Sequence, residues 1–312
     1  MDNKLICIAG PTASGKTALS VQLAKALGGE IISCDSMQIY RHMDIGTAKP
    51  SLEEREDIPH YMLDVADPGE DFSVSRYCEM ADPIIADILS RGKYAIVVGG
   101  TGLYMDALIR GNTFAPYPST GMRDKLEAQA DALGMEHMLT LLQQIDPDSA
   151  TRLHLADRKR ILRALEVYYE TGQTITQHNL QTQQIPPKYE PVWFALEDED
   201  RQELYRRIDR RVLTMLEQGL LGEIRHLLAM GIPEKCTAMQ AIGYKEFLDA
   251  LAGRCSIEEA TAQVQQASRH YAKRQLTWFR RNSRIHWLRR ATGEDSAKIL
   301  LRARQILADF DN

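Results

Sequence analysis

The chain has 312 residues, of which 44% are hydrophobic and 26% are charged, and its formal net charge is −5. This composition is typical of a water-soluble globular protein, and the length suits one large α/β domain with a smaller one. No apolar run approaches the roughly 20 residues of a transmembrane helix, and the first residues lack a signal-peptide pattern. We therefore expect a cytoplasmic protein with no membrane partner.

Cysteine and charge patterns narrow the function classes further. Five cysteines occur, none at C-x-x-C spacing, which argues against a disulfide framework and a zinc site. Cys7 and Cys34 lie in apolar runs and are expected in the core. The net charge weakly disfavours a nucleic-acid partner, but residues 261–293 contain eight Lys and Arg and no Asp or Glu. Such a segment can bind a polyanion locally.

Apolar runs alternate with helical patterns in the first third of the chain. The runs LICIAG, EIISCDS and YAIVVGG predict buried parallel strands, because they are apolar and end in or near Gly or Asp. After the first run, Leu19, Leu23 and Leu27 keep helical spacing, and Gly28 can end that helix. TGLYMDALI predicts another helix after the third run. This alternation predicts a parallel sheet with helices on both faces.

The pattern changes after about residue 112. Helical periods then dominate, and EPVWFALEDE predicts a strand that returns to the sheet. The remainder is mostly helical, with SRIHWLRR as a late edge strand. The last helix is expected to bury four apolar side chains: Ile299, Ala303, Ile306 and Phe310. We predict that residues 1–112 and 191–312 form the core and that residues 113–190 form an all-helical insertion domain.

A phosphate-binding loop follows the first predicted strand. Its sequence matches G-x-x-x-x-G-K-[ST], in which glycines let backbone N–H groups point at a phosphate and the following helix adds its dipole. Lys16 adds a full charge, and the Thr17 hydroxyl can bind Mg²⁺. The predicted loop consists of Gly10, Pro11, Thr12, Ala13, Ser14, Gly15, Lys16 and Thr17. The predicted fold is therefore an α/β fold with a P-loop NTPase-like parallel sheet flanked by helices.

Two polar residues follow the other predicted strands and should lie at the same edge of the sheet. Asp35 could bind magnesium, could take a proton from an acceptor, or could simply be the N-cap of a following helix. The third strand ends in Gly99, Gly100 and Thr101, with no acid to hold magnesium but with a hydroxyl at the crevice. These glycines could also serve only a tight turn.

Nine motifs together resemble the tRNA dimethylallyltransferases, also called tRNA isopentenyltransferases. The phosphate loop alone is unspecific, but the motifs cover nearly the whole chain in order. They are GPTASGKT (10–17), DSMQIYR (35–41), DIGTAKP (44–50), LDVADP (63–68), GGTGLY (99–104), DRKRILRALEVYY (157–169), RIDRRV (207–212), GYKE (243–246) and AKRQLTWFR (272–280). The resemblance implies the compact bacterial type, since the zinc finger of eukaryotic members is missing from the sequence.

The resemblance implies that the loop holds dimethylallyl diphosphate rather than ATP. The family transfers the prenyl group to the exocyclic amine of the adenosine immediately 3′ of the anticodon. Lys16, Arg211 and Arg207 are then expected to contact the diphosphate, with Mg²⁺ as the cofactor at Thr17. Asp35 matches the general base and Thr101 a residue that contacts the target nucleotide.

The same resemblance assigns tRNA contacts, and the insertion domain becomes a module that grips the anticodon stem-loop. The expected contacts are Asp35, Ser36, Met37, Gln38, Thr101, Arg123, Lys159, Arg160, Ile161, Leu162, Arg163, Gly243, Tyr244, Lys245, Lys273 and Arg280. Gln38 can read the adenine edge through its amide. Trp278 could stack on a base, although packing in the core is favoured. Without the family match, these charges would be read as ordinary solvated helix faces.

Two other functions fit part of the pattern. A small-molecule kinase using ATP would explain the loop and Asp35, but not the basic helical insertion or the third strand without an acid. A transferase that prenylates free adenine nucleotides would need no tRNA-gripping module. Nothing in the sequence requires a second copy, so we expect a monomer.

Overall fold

The computed structural model of the chain describes residues 5–112 and 120–310. It divides into two compact units, one formed by Met1–Gly111 and Tyr189–Asn312 and the other by Asn112–Lys188. Residues 113–119, which open the predicted insertion, lie outside the described residues. In the described ranges, no helix is long and apolar enough to cross a membrane.

The first unit is built on a six-stranded sheet in which every pairing is parallel. The strands are β1 (Leu5–Ala9), β2 (Glu30–Ser33), β3 (His60–Tyr61), β4 (Ala95–Val98), β5 (Val192–Asp198) and β6 (Ile285–Arg290). Their order across the sheet is β3-β2-β4-β1-β5-β6. This confirms the predicted parallel sheet, the returning strand and the edge strand. The two-residue β3 was not predicted, because so short a strand leaves no periodic signal.

Helices cover the sheet and form the second unit. In chain order they are α1 (Lys16–Leu27), α2 (Leu52–Arg55), α3 (Val74–Ser90), α4 (Gly102–Arg110), α5 (Met122–Ile145), α6 (Pro147–Ala150), α7 (Arg158–Thr171), α8 (Ile175–Gln184), α9 (Arg201–Glu217), α10 (Leu220–Ala229), α11 (Lys245–Leu251), α12 (Ile257–Phe279) and α13 (Ser296–Phe310). Of these, α5 to α8 belong to the second unit, which has its own apolar cluster.

Both faces of the sheet are buried, as its apolar strands require. Along β1, Cys7 packs in a cluster with side chains of α3, α4 and α12, while Ile6 and Ile8 pack on the opposite face with α1 and α13. Cys7 and Cys34 are fully buried, as predicted. The sheet therefore has no free face, and a ligand can be reached only at its edges.

One core prediction is wrong. Phe310 is 53% exposed, whereas Leu307 of the same helix is buried at 6%. Phe310 is the last residue of α13 and meets the ring of His286, on the edge strand β6, edge-on with 5.5 Å between ring centroids. At the margin of the sheet there is too little neighbouring structure to cover a terminal aromatic ring.

Candidate active site

The phosphate loop joins β1 to α1 at the carboxyl edge of the sheet. Gly10 and Gly15 have φ angles of +141° and +93°, and Ala13 has +60°. These angles favour glycine and explain both glycines of the motif. Gly15 is the N-cap of α1, and no side chain caps the helix. The first N–H groups of α1 are therefore available to an anion, at the positive end of the helix dipole.

Lys16 and Arg211 lie beside each other at this loop. The Lys16 ammonium donates to the Pro11 carbonyl at 2.6 Å, and Arg211 of α9 approaches the Thr12 hydroxyl at 3.4 Å. The pKa of Lys16 is lowered to about 7, mostly by burial and in part by the neighbouring Arg211, while Asp35 opposes the shift. Burial also lowers the pKa of Arg211. Two like charges held together in a desolvated place indicate a site built for an anion.

Arg207 lies one turn before Arg211 on α9, as predicted from the RIDRRV spacing. Its Nε donates to the Ala13 carbonyl at 2.9 Å, and its guanidinium pairs with Asp198. Arg290 binds the same carboxylate at 2.8 Å. Arg207 therefore braces the backbone of the phosphate loop, and its predicted contact with the diphosphate stays a prediction.

Asp35 uses one carboxylate oxygen to cap a turn, and its second oxygen is left to accept another hydrogen bond or a proton. Its Oδ1 accepts the N–H groups of Met37 at 2.8 Å and Gln38 at 3.4 Å, so Asp35 caps a turn, whereas the sequence allowed the N-cap of a helix, and no helix begins at these described residues. No hydrogen bond to Oδ2 is present within the described residues. The negative charge of Asp35 raises the pKa of both Lys16 and Arg211, so the carboxylate lies close enough to the phosphate loop to act on its cations.

Thr101 binds the segment that carries Asp35. Its hydroxyl accepts the Ser36 N–H at 3.1 Å, and its own N–H reaches the Cys34 carbonyl at 3.4 Å. A Cβ on Gly99 would lie 1.9 Å from that carbonyl oxygen. The glycines before Thr101 therefore allow two loops to approach closely, which is a stronger requirement than the tight turn that the sequence suggested.

Gln275 of α12 links the phosphate loop to this second loop. It is 5% exposed; its Oε1 accepts the Thr12 N–H at 2.9 Å, and its Nε2 donates to the Gly100 carbonyl at 2.9 Å. A Cβ on Gly100 would lie 2.0 Å from that nitrogen. The Tyr271 side chain, one turn earlier, lies beside Thr101 and Gln275, and burial raises its pKa to about 12.

Sequence reasoning missed Gln275 and Tyr271. The one signal was the AKRQLTWFR motif, which contains Gln275 and starts one residue after Tyr271, and its cations drew attention to RNA binding instead. Trp278 in that motif donates to the Asp106 carboxylate at 2.8 Å and packs against the core. A Cβ on Gly102 would lie 2.2 Å from its ring, so the favoured prediction of core packing describes its position.

The predicted tRNA contacts in the second unit divide into surface and core. Lys159 and Arg160 are exposed, and Arg163 binds Glu166 at 2.8 Å. Ile161 and Leu162 are 0% exposed in the apolar cluster of this unit. Their side chains cannot reach a nucleic acid, because the helical period turns them inward; this part of the prediction is wrong for direct side-chain contact. Arg123, also within this unit, pairs with Glu127 at 2.7 Å.

The predicted contacts in the last third of the chain are also mixed. Tyr244 is 0% exposed, so its side chain is not on the surface that the prediction required, whereas Lys245 and Lys273 are exposed. The Gly243 N–H donates to Glu246 at 2.8 Å. Arg280 pairs with Glu197, so acids from β5 neutralise part of the basic segment. Exposed cations on α12, such as Lys273, remain available to bind a polyanion.

Family models and curated relatives identify the chain with one family. A model described as IPP transferase matches residues 38–282, and another described as isopentenyl transferase matches residues 3–66. The tRNA dimethylallyltransferase of Acetivibrio thermocellus is 44% identical over 311 residues and covers 99% of both chains. That of Halothermothrix orenii is 45% identical over 310 residues, covering 99% of this chain and 94% of the relative.

Solved structures agree with these relatives in fold. The full-length tRNA isopentenylpyrophosphate transferase of Bacillus halodurans is 41% identical, with a TM-score of 0.74, and covers 99% of this chain and 96% of that one. A eukaryotic dimethylallyltransferase acting on tRNA is 31% identical, with a TM-score of 0.82, and covers 98% of this chain and 79% of that one. The chain therefore belongs to the tRNA dimethylallyltransferase family.

Proposed function

We propose that this protein transfers a dimethylallyl group from dimethylallyl diphosphate to the exocyclic amine of the adenosine 3′-adjacent to the tRNA anticodon, releasing diphosphate. One observation carries the proposal: Thr101 binds the segment of Asp35, and Gln275 joins the loop of Thr101 to the cationic phosphate loop, so a carboxylate and a phosphate loop are held at one place. The relatives named tRNA dimethylallyltransferase support the same chemistry.

The leaving group defines the work of the loop. When the bond between the prenyl carbon and oxygen breaks, its electron pair stays on diphosphate and an allylic cation develops. Lys16, Arg211 and the N–H groups at the start of α1 stabilise that negative charge, which is where fixed donors help most. Arg207 and Gln275 hold the loop in shape while the charge develops.

The loop also fits a magnesium ion. Thr17 is partly exposed in the first turn of α1, and the Ser14 hydroxyl is buried with no hydrogen-bond partner in the part of the chain that the structure describes. The described residues contain no group of three or more His, Cys, Asp and Glu side chains that could hold a metal. Thr17 would hold Mg²⁺ together with diphosphate oxygens and water, as this ion prefers. Bound there, Mg²⁺ would neutralise charge on the leaving group.

The acceptor needs a base, because the lone pair of an adenine amine is delocalised. Asp35 takes one amine proton as the new bond between nitrogen and the prenyl carbon forms. Thr101 holds the Asp35 segment in register with the phosphate loop. Lys159, Arg160 and Arg163 on α7, and Lys273 on α12, contact tRNA phosphates within their own units.

Labelled substrates test this proposal. Radiolabelled dimethylallyl diphosphate and unmodified tRNA should yield labelled RNA, and nuclease digestion should place the label on the adenosine after the anticodon. Labelled ATP should transfer nothing, in contrast to the kinase that the loop alone would allow. Label transferred from ATP, or label found only on free AMP, would refute the proposal.

A further inference from the structure

The segment DIGTAKP stands out in the sequence, and no catalytic role has been given to it. It follows the turn that carries Asp35 and forms a loop over residues 44–48. Three consecutive N–H groups of this loop converge on a single carboxylate, that of Glu223 in the first turn of α10. The distances are 2.8 Å from Asp44, 2.7 Å from Ile45 and 3.0 Å from Gly46.

Tyr244 completes the set of donors around Glu223. Its buried hydroxyl donates to the same carboxylate at 2.7 Å. A Cβ on Gly46 would lie 2.5 Å from the Tyr244 ring, so the glycine is required for this approach. The carboxylate thus accepts four hydrogen bonds, which fixes the loop in one conformation. The hydrogen bond to Glu223 therefore explains why the tyrosine of the GYKE motif is buried.

The loop in turn grips Gln38. Gln38 Nε2 donates to the carbonyls of Thr47 at 3.3 Å and Ala48 at 3.1 Å. Gln38 Oε1 accepts the Ser33 hydroxyl at 3.0 Å. Carbonyl oxygens can only accept hydrogen bonds, so the NH₂ group of the Gln38 side chain must face the loop. These two carbonyls therefore fix the orientation of the Gln38 amide.

Counting donors and acceptors shows what Gln38 can still offer. A side-chain amide has two N–H donors and an oxygen with two lone pairs. Both donors are used on the loop and one lone pair on Ser33, so within the described residues the unused capacity is one acceptor. The Gln38 backbone N–H binds Asp35, which places the two residues side by side.

We propose that Glu223 is a positioning residue that fixes the polarity of Gln38, so that the site offers an oxygen to the acceptor base and selects an exocyclic amine over a carbonyl. The inference rests on the proposed function. An adenine amine has two hydrogens: Asp35 removes one as the nitrogen–carbon bond forms and the prenyl carbon–oxygen bond breaks to diphosphate. Gln38 Oε1 accepts the hydrogen that stays. A nucleobase with a carbonyl at that position would place its carbonyl oxygen against Gln38 Oε1, and neither oxygen could donate a hydrogen bond.

The experiment compares two anticodon stem-loop RNAs that differ only in carrying adenosine or inosine after the anticodon. Their dissociation constants are measured with wild type and with Glu223→Gln. Wild type should bind the inosine RNA about tenfold more weakly, the scale of one mispaired buried polar group. In Glu223→Gln, either orientation of the new amide places an NH₂ group against a backbone N–H. The loop then releases Gln38. The ratio of the dissociation constant for the inosine RNA to that for the adenosine RNA should therefore fall at least about threefold.

Controls separate this positioning role from a loss of folding. Glu217→Gln, at an exposed site at the end of α9, should leave the ratio unchanged. The affinity for inorganic diphosphate should stay the same in all variants, since Lys16 and its loop are untouched. Gln38→Ala should lower the preference at least as far as Glu223→Gln, and the remainder comes from Asp35, which still sets an oxygen against the inosine carbonyl. If Glu223→Gln does not fold, Tyr244→Phe replaces it and should lower the ratio about twofold, because one of four bonds is lost.

Two results would overturn the inference. The first is a wild type that labels adenosine normally yet binds both RNAs equally. The second is a folded Glu223→Gln that keeps the full ratio, with Tyr244→Phe also unchanged. Wild type that labels no adenosine at all would instead refute the proposed function. The two failures are therefore distinguishable.

Discussion

The two edges of the sheet handle charge in opposite ways. At the amino edge, Glu30 is 2% exposed and accepts bonds from Arg91 at 2.6 and 2.7 Å, Lys93 at 2.6 Å and the Tyr61 hydroxyl at 2.9 Å. These donors, Arg91 foremost, lower the pKa of Glu30 to about 2. Glu30, Arg91 and Lys93 each have an oppositely charged partner, which is how a buried carboxylate becomes tolerable.

At the carboxyl edge, by contrast, the cations outnumber their partners. Burial lowers the pKa of both Lys16 and Arg211, Arg211 also lowers the pKa of Lys16, and Asp35 only partly compensates. The difference teaches which charges serve stability and which serve binding. Neutralised charge at the amino edge holds the fold together, whereas surplus positive charge at the carboxyl edge suits the diphosphate of the proposed function.

The sharpest test of this contrast is Asp35→Asn. Asparagine keeps the Oδ1 acceptor that caps Met37 and Gln38, but it cannot take a proton. We expect tRNA affinity to be retained and single-turnover transfer to slow about 100-fold or more. Asp35→Ala, which removes the cap as well, is the matched comparison. Normal turnover in the asparagine variant, with loss only in the alanine variant, would reduce Asp35 to a capping residue.

The amino edge should respond to mutation in stability alone. Glu30→Gln should lower the free energy of unfolding at pH 7 by about 2 kcal/mol, a modest figure because Arg91 and Lys93 are partly exposed. The pKa of Glu30 is lower in the folded state, about 2 against an ordinary 4.5. Its contribution is therefore complete above pH 4.5 and is lost as the pH falls towards 2.

Urea unfolding at pH 7 and pH 3.5 measures this directly. The difference in free energy of unfolding between wild type and Glu30→Gln should be smaller at the lower pH. The prenyl transfer rate of the folded variant at pH 7 should match that of wild type. A marked fall in transfer rate without a fall in stability would break the division between the two edges.

The link through Gln275 predicts a smaller effect on catalysis. Gln275→Leu leaves the Thr12 N–H and the Gly100 carbonyl without their partner, so the two loops lose their fixed spacing. We expect single-turnover transfer to fall about tenfold while tRNA affinity changes by less than about twofold. Gln266→Leu, on an exposed face of the same helix, should behave as wild type. Equal losses in rate and stability would assign Gln275 a purely structural role.

The smallest effect per residue is expected in the second unit. Alanine at Lys159, Arg160 and Arg163 should weaken tRNA binding a few-fold per cation, and the slope of log affinity against log salt should fall by roughly 0.7 to 0.9 per lost contact. Lys125→Ala, an exposed lysine on α5, is the matched control. An unchanged salt slope would return these cations to solvent and leave recognition to the first unit.

Much of this site could be predicted because its chemistry is local in the chain. The phosphate loop is eight consecutive residues whose φ angles require glycine at two places, and the strand before it and helix after it each have their own periodicity. Asp35 and Thr101 follow predicted strands, and parallel strands bring their carboxyl ends to one edge. Exposure inside a motif was less predictable, since Ile161, Leu162 and Tyr244 were assigned to RNA and point inward.

The sequence by itself determined the parallel sheet, the phosphate loop and the family, because each depends on residues close together in the chain or on motifs in a fixed order. Only the tertiary structure decided which side chains connect those motifs. Gln275 lies 263 residues from Thr12, and Glu223 lies 177 residues from Gly46. Hydrogen bonds over such separations leave no periodic signal, since they depend on how α10 and α12 pack rather than on any local pattern.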